Sequence, residues 1–278
     1  MTLSLQMSVH GRWDGMNKMI GTCGMCNEGK PLIQAHAIPH AVFRDIHRDN
    51  GGSAVVISDD HRKLHRSGKS GQDRILCGEC DGRLNIAFDA PTINFLRSFR
   101  SELNTARSKV IGHFDNNVLA AFLMSVIWRA ALSSDPMYAN VALTPRTKEM
   151  IRRILTEDAV GLFDIASFSV RNLVDGSGSD GFDGHSLSSL VLAPVFQRHP
   201  NGKHSWQFAM IGFLFEIFIP RLSLLRRQDP ALLRRGATVV RPSNLDIFDN
   251  RALMKMMMAG FSKHEQGHSI LRDRVLKK

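Results

Sequence analysis

The four cysteines of the chain fall into two pairs, Cys23-Gly24-Met25-Cys26 and Cys77-Gly78-Glu79-Cys80, and these pairs use every cysteine present. Two residues between ligands let a tight knuckle aim both sulfurs at one ion, and two knuckles complete a tetrahedral thiolate shell. Residues 23 to 80 are therefore expected to fold around one structural zinc ion held by Cys23, Cys26, Cys77 and Cys80. A glycine follows the first cysteine of each pair and is expected to ease its turn. A redox or incidental CxxC is the competing reading of such pairs. Because a closed four-thiolate shell leaves no position for water, any chemistry needs a second site.

With 278 residues, 43% of them hydrophobic, the chain can bury a real core as one large domain or two of ordinary size. The apolar run from Val118 stops at Arg129 and the run from Phe208 stops at Glu216, both short of the roughly 18 residues of a membrane span. The first residues lack the basic-then-apolar order of a secretory signal, so a cytoplasmic protein with no membrane partner is expected. The formal charge of +10 favours a polyanionic partner, because each phosphate neutralised by Lys or Arg releases a condensed counterion. Solubility alone would also account for that excess.

The first segment, to about Asp89, is rich in Gly, His and charge, with strand-like pieces at Pro31 to Ile38 and Ser53 to Ser58. A helix is expected from Cys77, and Pro91 is expected to start another through Phe95, Phe99 and Leu103. Asp115 caps the apolar helix Val118 to Leu132, and Thr144 with Pro145 opens a helix from Arg146 to Leu155. The Gly/Ser-rich run Asp175 to Gly181 is expected to separate helices from strands. Ser189 to Gln197 and Ser205 to Ile219 flank Asn201-Gly202, a hairpin signal, and Asn244 to Phe261 returns to helix. The expected fold class is α+β. Residues 1 to 90 would form a zinc-binding unit and residues 91 to 278 a helical and β-hairpin α+β domain for recognition, regulation or dimerisation.

Between the cysteine pairs lies Ile33-Gln34-Ala35-His36-Ala37-Ile38-Pro39-His40, and the second pair is followed by Asp81-Gly82-Arg83-Leu84-Asn85. This order of a CxxC, a strand with His-x-Ile-Pro, a loop and a CxxC opening a helix resembles the zinc-supported HNH endonucleases. The resemblance covers about residues 20 to 90, and it implies a treble-clef or ββα-metal finger. It also implies phosphodiester hydrolysis with His36 as general base.

Two positions depart from that family's pattern. Ala35 stands where an acid or histidine binds the catalytic metal, and Asp81 stands where a histidine follows the last cysteine. Aspartate suits a hard cation, so the resemblance implies magnesium or manganese as catalytic ion. Asp81 and Asn85, four apart on the expected helix, share a face and can share that ion. His40 is placed to replace the ligand missing at Ala35, and Asn50 is the candidate for the family's middle asparagine. The expected partner is nucleic acid, most simply double-stranded DNA, in a defence or mobile-element setting by analogy. A homodimer would let a single-phosphodiester site cut both strands, and a regulatory partner or ligand would restrain it. A purely structural finger, binding nucleic acid without cleaving it, is the alternative.

Arg62, Lys63, Arg66 and Lys69 form a basic loop inside this segment that can contact phosphate, or simply be solvated. His264-Glu265-Gln266-Gly267-His268 matches the HExxH pattern of zinc proteases, a different enzyme class, although Gly267 weakens the helix that must carry the ligands. The methionines from Met254 to Met258, with Trp128, Phe122 and Phe208, read as core. Arg272, Arg274, Lys277 and Lys278 make a basic end.

Overall fold

The computed structural model describes residues 19–49, 55–57, 65–66, 71–99, 112–176, 184–200, 202–250 and 253–255. Its strands are β1 (Ile20–Thr22), β2 (Gly29–His36), β3 (Val55–Ile57), β4 (His65–Arg66), β5 (Gln72–Cys77), β6 (Gly112–His113), β7 (Ser167–Val174), β8 (Val191–Arg198), β9 (His204–Met210), β10 (Phe213–Phe218), β11 (Val239–Val240) and β12 (Ser243–Asp246). Its α-helices are α1 (His40–Asp49), α2 (Gly78–Leu84), α3 (Ala90–Ser98), α4 (Asn116–Leu132), α5 (Pro145–Glu157), α6 (Leu162–Ile165) and α7 (Gly184–Ser188). The protein is α+β. Among the described residues, no helix is long and apolar enough to cross a membrane.

The antiparallel strands β1, β2 and β5 make a small sheet that carries both cysteine pairs. A larger sheet runs in the order β12-β7-β10-β9-β8-β3-β4. Its pairings β12–β7 and β8–β3 are parallel and the others antiparallel. Alternation along its strands sorts the two faces. Phe213, Phe215 and Ile217 of β10, with Trp206, Phe208 and Met210 of β9, face the main core, whereas Leu214 and Ala209 face a smaller cluster with Leu187 and Ile247.

The main core is continuous from Cys23 to Val240 and is built around α4. Nearly every side chain of that helix from Leu119 to Ala130 is buried, as expected of a helix that is apolar all round. The cap is Asp115, whose carboxylate accepts from the Asn117 N–H at 2.7 Å. Thr144 caps α5 in the same way, as its sequence predicts. Strands β3 and β4 come from the first 90 residues yet pair within the larger sheet, and Arg152 of α5 donates to the Met25 carbonyl at 2.8 Å. The boundary expected at residue 90 falls inside one helical run from Gly78 to Ser98.

Pro91 therefore does not open a separate helix. Residues Asn85–Asp89 form a π turn between α2 and α3, with the Ala90 N–H bonded to the Asn85 carbonyl five residues back. A proline ring normally collides with the carbonyl four residues earlier, and the wider turn just ahead of Pro91 gives it room. Three further expectations are corrected. Strand β7 precedes the Gly/Ser-rich run, so that run does not divide helices from strands. The segment read as one strand from Ser205 to Ile219 is two, β9 and β10, joined by Ile211-Gly212 with φ of 54° and 77°. Both residues are left-handed, as a tight hairpin turn with the twist of its strands requires. Residues 244–246 are not helical: they extend as β12 beside β7, where Asn172 Nδ2 donates to Asn244 Oδ1 at 3.0 Å. Edge pairing with a sheet outweighs local helix preference there.

Candidate functional site

The cysteine pairs meet as their spacing predicts. The four Sγ atoms all lie within 4.8 Å of one another, a group that can hold a metal ion such as zinc. The first knuckle closes through Cys23 N–H to Glu28 O and Asn27 N–H to Cys23 O, each at 2.9 Å. Its left-handed residue is Asn27, with φ of 60°, not the glycine. Gly24 sits in a tight space instead, since a Cβ there would lie 2.8 Å from Leu132 Cδ1 and 3.2 Å from the Ile75 carbonyl, so both neighbours would have to shift. Gly78 meets no comparable obstacle, with Ile33 Cγ2 at 3.8 Å.

Cys77 ends β5 and is the residue before α2, so one strand–helix junction delivers both Cys77 and Cys80. Burial opposes ionisation of Cys23, but N–H groups of Cys26, Cys77 and Met25 outweigh it and bring the thiol down to about 7. Burial and the neighbouring thiols push Cys80 up. Four sulfurs this close repel one another as thiolates, and a soft dication relieves that repulsion. Thiolate donors, tetrahedral number and burial all fit zinc.

His36, His40 and Asp81 occupy the end of β2, the first turn of α1 and α2 respectively. The His36 and His40 rings lie 5.2 Å apart, and Phe43 flanks His36 at 6.3 Å. Helix α1 is held in place by Arg97 of α3, whose guanidinium donates to Asp45 at 2.7 Å and to the Ala41 carbonyl at 3.0 Å. Ala35, where the family pattern calls for a metal-binding residue, is 2% exposed and belongs to the core. Asn85 is exposed on the π turn. Asn50, Arg62, Lys63, Lys69, the side chain of Arg66 and the HExxH segment lie outside the described residues.

Within electrostatic reach of His36 and Asp81 lies a buried pair not singled out above. Arg129 of α4 donates from Nη1 and Nη2 to the two carboxylate oxygens of Asp89, both at 2.8 Å. Arg129 Nη2 also reaches Ser125 Oγ at 3.2 Å, and its Nε reaches the Ser125 carbonyl at 3.3 Å. Arginine and aspartate are 2% and 3% exposed, so each charge depends on the other. The available signal was Arg129 itself, the one charge between Val118 and Leu132 in a helix that must be buried.

The π turn explains how Asp89 reaches this position. At about 100° per residue, an α-helix would carry Asp89 roughly 80° round from Asp81, eight residues earlier. One extra residue in the π turn takes back most of that rotation, so Asp89 returns to about the face of Asp81, some two turns along. Both carboxyl groups then feel Arg129. Burial raises the pKa of Asp81, Arg129 opposes the rise, and Asp89 adds to it. Tyr138 completes the floor, its hydroxyl oxygen accepting from the Ile38 N–H at 3.4 Å while burial pushes its pKa up.

The His36 imidazole is held near pH 4 by burial first, then by His40 and Arg129. It is therefore expected to be neutral throughout the physiological range. The folded pKa lies below the ordinary 6.5, so the unfolded chain takes up this proton first as pH falls. Stability should decline between about pH 6.5 and pH 4 on this account and then level off. NMR titration of the His36 ring checks it, and a midpoint near 6.5 would contradict the assigned environment.

A second polar group lies on the larger sheet. Ser205 Oγ donates to Glu216 Oε1 at 2.6 Å and lies 2.8 Å from His199 Nε2. His199 Nε2 also faces Glu216 Oε1, at 3.1 Å. A nucleophilic triad needs serine and carboxylate on opposite ring nitrogens, so this group is a satisfied structural network. No family model, curated protein or solved structure matches the chain.

Proposed function

We propose that the protein is an HNH-type endonuclease that hydrolyses DNA phosphodiester bonds, with a treble-clef finger held by one zinc on Cys23, Cys26, Cys77 and Cys80. The observation carrying this reading is the placement of His36 at the end of β2 and of Asp81 in the first turn of α2, both within the electrostatic reach of Arg129, on the elements that bring the four cysteines together. His36 takes the proton from the attacking water. Its low basicity in the free protein follows first from burial and then from the positive charge of His40 and Arg129, and an incoming phosphate would offset those charges and raise it.

A divalent cation, magnesium or manganese, supplies positive charge for the phosphate and departing oxygen when bound. Asp81 is the carboxylate assigned to it, with Asn85 and His40 as the further candidate ligands. Among the described residues, the four cysteines are the one group of three or more acidic, His or Cys side chains closed enough to chelate an ion. Magnesium suits a site of one or two carboxylates, since it keeps several waters and takes substrate phosphate oxygens. The net charge of +10 favours the polyanionic substrate.

One observation favours a second reading, a zinc module that binds nucleic acid without cutting it: Ala35 is packed in the core where the family's metal ligand would stand. Plasmid cleavage with magnesium or manganese, compared with EDTA, separates the two. His36→Ala should leave zinc content, folding and DNA binding near wild type while cleavage falls at least about a hundredfold. Asp81→Ala should act through metal affinity, with partial recovery at high manganese. Wild-type cleavage by both variants would end the nuclease reading, and binding without cleavage would leave the zinc module.

A further inference from the structure

A cavity of about 500 Å³, within the size range of small-molecule sites, opens between α6 with the start of β7 and residues 221 to 235. Arg221, Arg227, Arg234 and Arg235 line it, with Asp164 the single acidic residue among them. That carboxylate is already engaged, with Arg235 Nη2 at 2.5 Å and Arg221 Nη1 at 3.7 Å. Among the described residues, no carboxylate pairs with Arg227 or Arg234, and Arg227 Nε is buried with no hydrogen-bond partner. A buried donor of this kind is normally matched by an acceptor, and the cavity beside it gathers four arginines against one carboxylate, an excess of positive charge that suits an anion.

The cavity is also built in advance. Its outer segment is stitched to the sheet by Arg221 N–H to Ile165 O at 3.0 Å, Leu222 N–H to Ser167 Oγ at 3.0 Å and Leu233 N–H to Phe168 O at 2.9 Å. Phe163 lines one wall, its ring held edge-on to Phe168 at 5.5 Å, and Leu224 and Leu233 add apolar surface. Planar guanidinium forks match phosphate oxygens two at a time, and a fixed aromatic wall suits a flat ring.

We propose that this cavity binds a phosphate-bearing small molecule of nucleotide size, its phosphates on Arg227 and Arg234 and its ring against Phe163. The site stands apart from His36 and Asp81 and does not depend on the cleavage reading. Isothermal titration of the full-length, zinc-loaded protein with pyrophosphate, ATP and cyclic di-AMP tests it. At least one nucleotide should bind at a single saturable site and more tightly than pyrophosphate. Arg227→Ala with Arg234→Ala should weaken it at least about tenfold, whereas removing equal charge from α5, through Arg146→Ala with Arg153→Ala, should leave affinity unchanged. If the alanine pair does not fold, Arg227→Lys with Arg234→Lys keeps the charge but loses the forks and should still weaken binding. Absence of saturable binding by all three probes, equal losses in both alanine pairs, or an unaffected lysine pair would overturn the proposal. So would protection of this face by a short DNA duplex with no nucleotide binding, which would make it a nucleic-acid surface.

Discussion

Cys77→Ser is expected to abolish zinc binding and to unfold much more than the two cysteine knuckles. The wild-type protein should carry about one zinc per chain, and structural zinc contributes roughly 10 kcal/mol or more to small domains of this kind. The extent of the damage follows from where the cysteines lie. Cys23, Cys77 and Cys80 belong to the same buried cluster as Trp128, Ile151 and Phe215, so the metal site and the core of α4 are one packed unit. Cys77 also donates its N–H to Cys23 Sγ at 3.3 Å and precedes the first turn of α2. Serine keeps the backbone bond but offers a hard oxygen in place of a thiolate. Metal analysis should show zinc lost, and thermal melting should show the cooperative transition lowered or absent. A wild-type protein that is fully folded without metal would reject the site.

How far the chain could be read in advance depended on the range of the interactions involved. The cysteine pairs and the His36 strand were legible because two-residue spacing and strand chemistry are local, and Asp115 and Thr144 announced their helices for the same reason. The π turn was not legible. Its hydrogen-bond register depends on Asp89 meeting Arg129, forty residues away, and no local residue preference encodes that meeting. The Ile211-Gly212 turn was hidden because an isoleucine rarely adopts positive φ, so only Gly212 signalled it. Residues 243 to 246 became a strand through pairing with β7, a partner about seventy residues earlier. At the candidate site the same division holds. His36, His40 and Asp81 came from sequence order, whereas the burial and the neighbouring charges that shift His36 and Asp81 came from tertiary packing.

Asp89→Ala should be among the most damaging single changes away from the cysteines. It leaves the Arg129 guanidinium in the core with only Ser125 for company, and breaking a buried pair by removing one partner typically costs about 3–5 kcal/mol. Arg129→Ala should cost a similar amount, by stranding the Asp89 carboxylate among apolar neighbours. Replacing both, as Asp89→Leu with Arg129→Met, removes the two desolvated charges together and should recover most of the loss, so the effects will not add. This apolar pair also isolates the electrical role of Arg129. Burial and His40 would still hold the His36 pKa below 6.5, but without the guanidinium it should rise from about 4. Chemical denaturation of the four proteins shows whether the apolar pair recovers the stability that each alanine variant loses, and NMR titration of His36 in the apolar variant gives the pKa. If Asp89→Ala lies within about 0.5 kcal/mol of wild type, the level of an ordinary surface change, the buried pair does not hold α4 against the helix that carries Asp81.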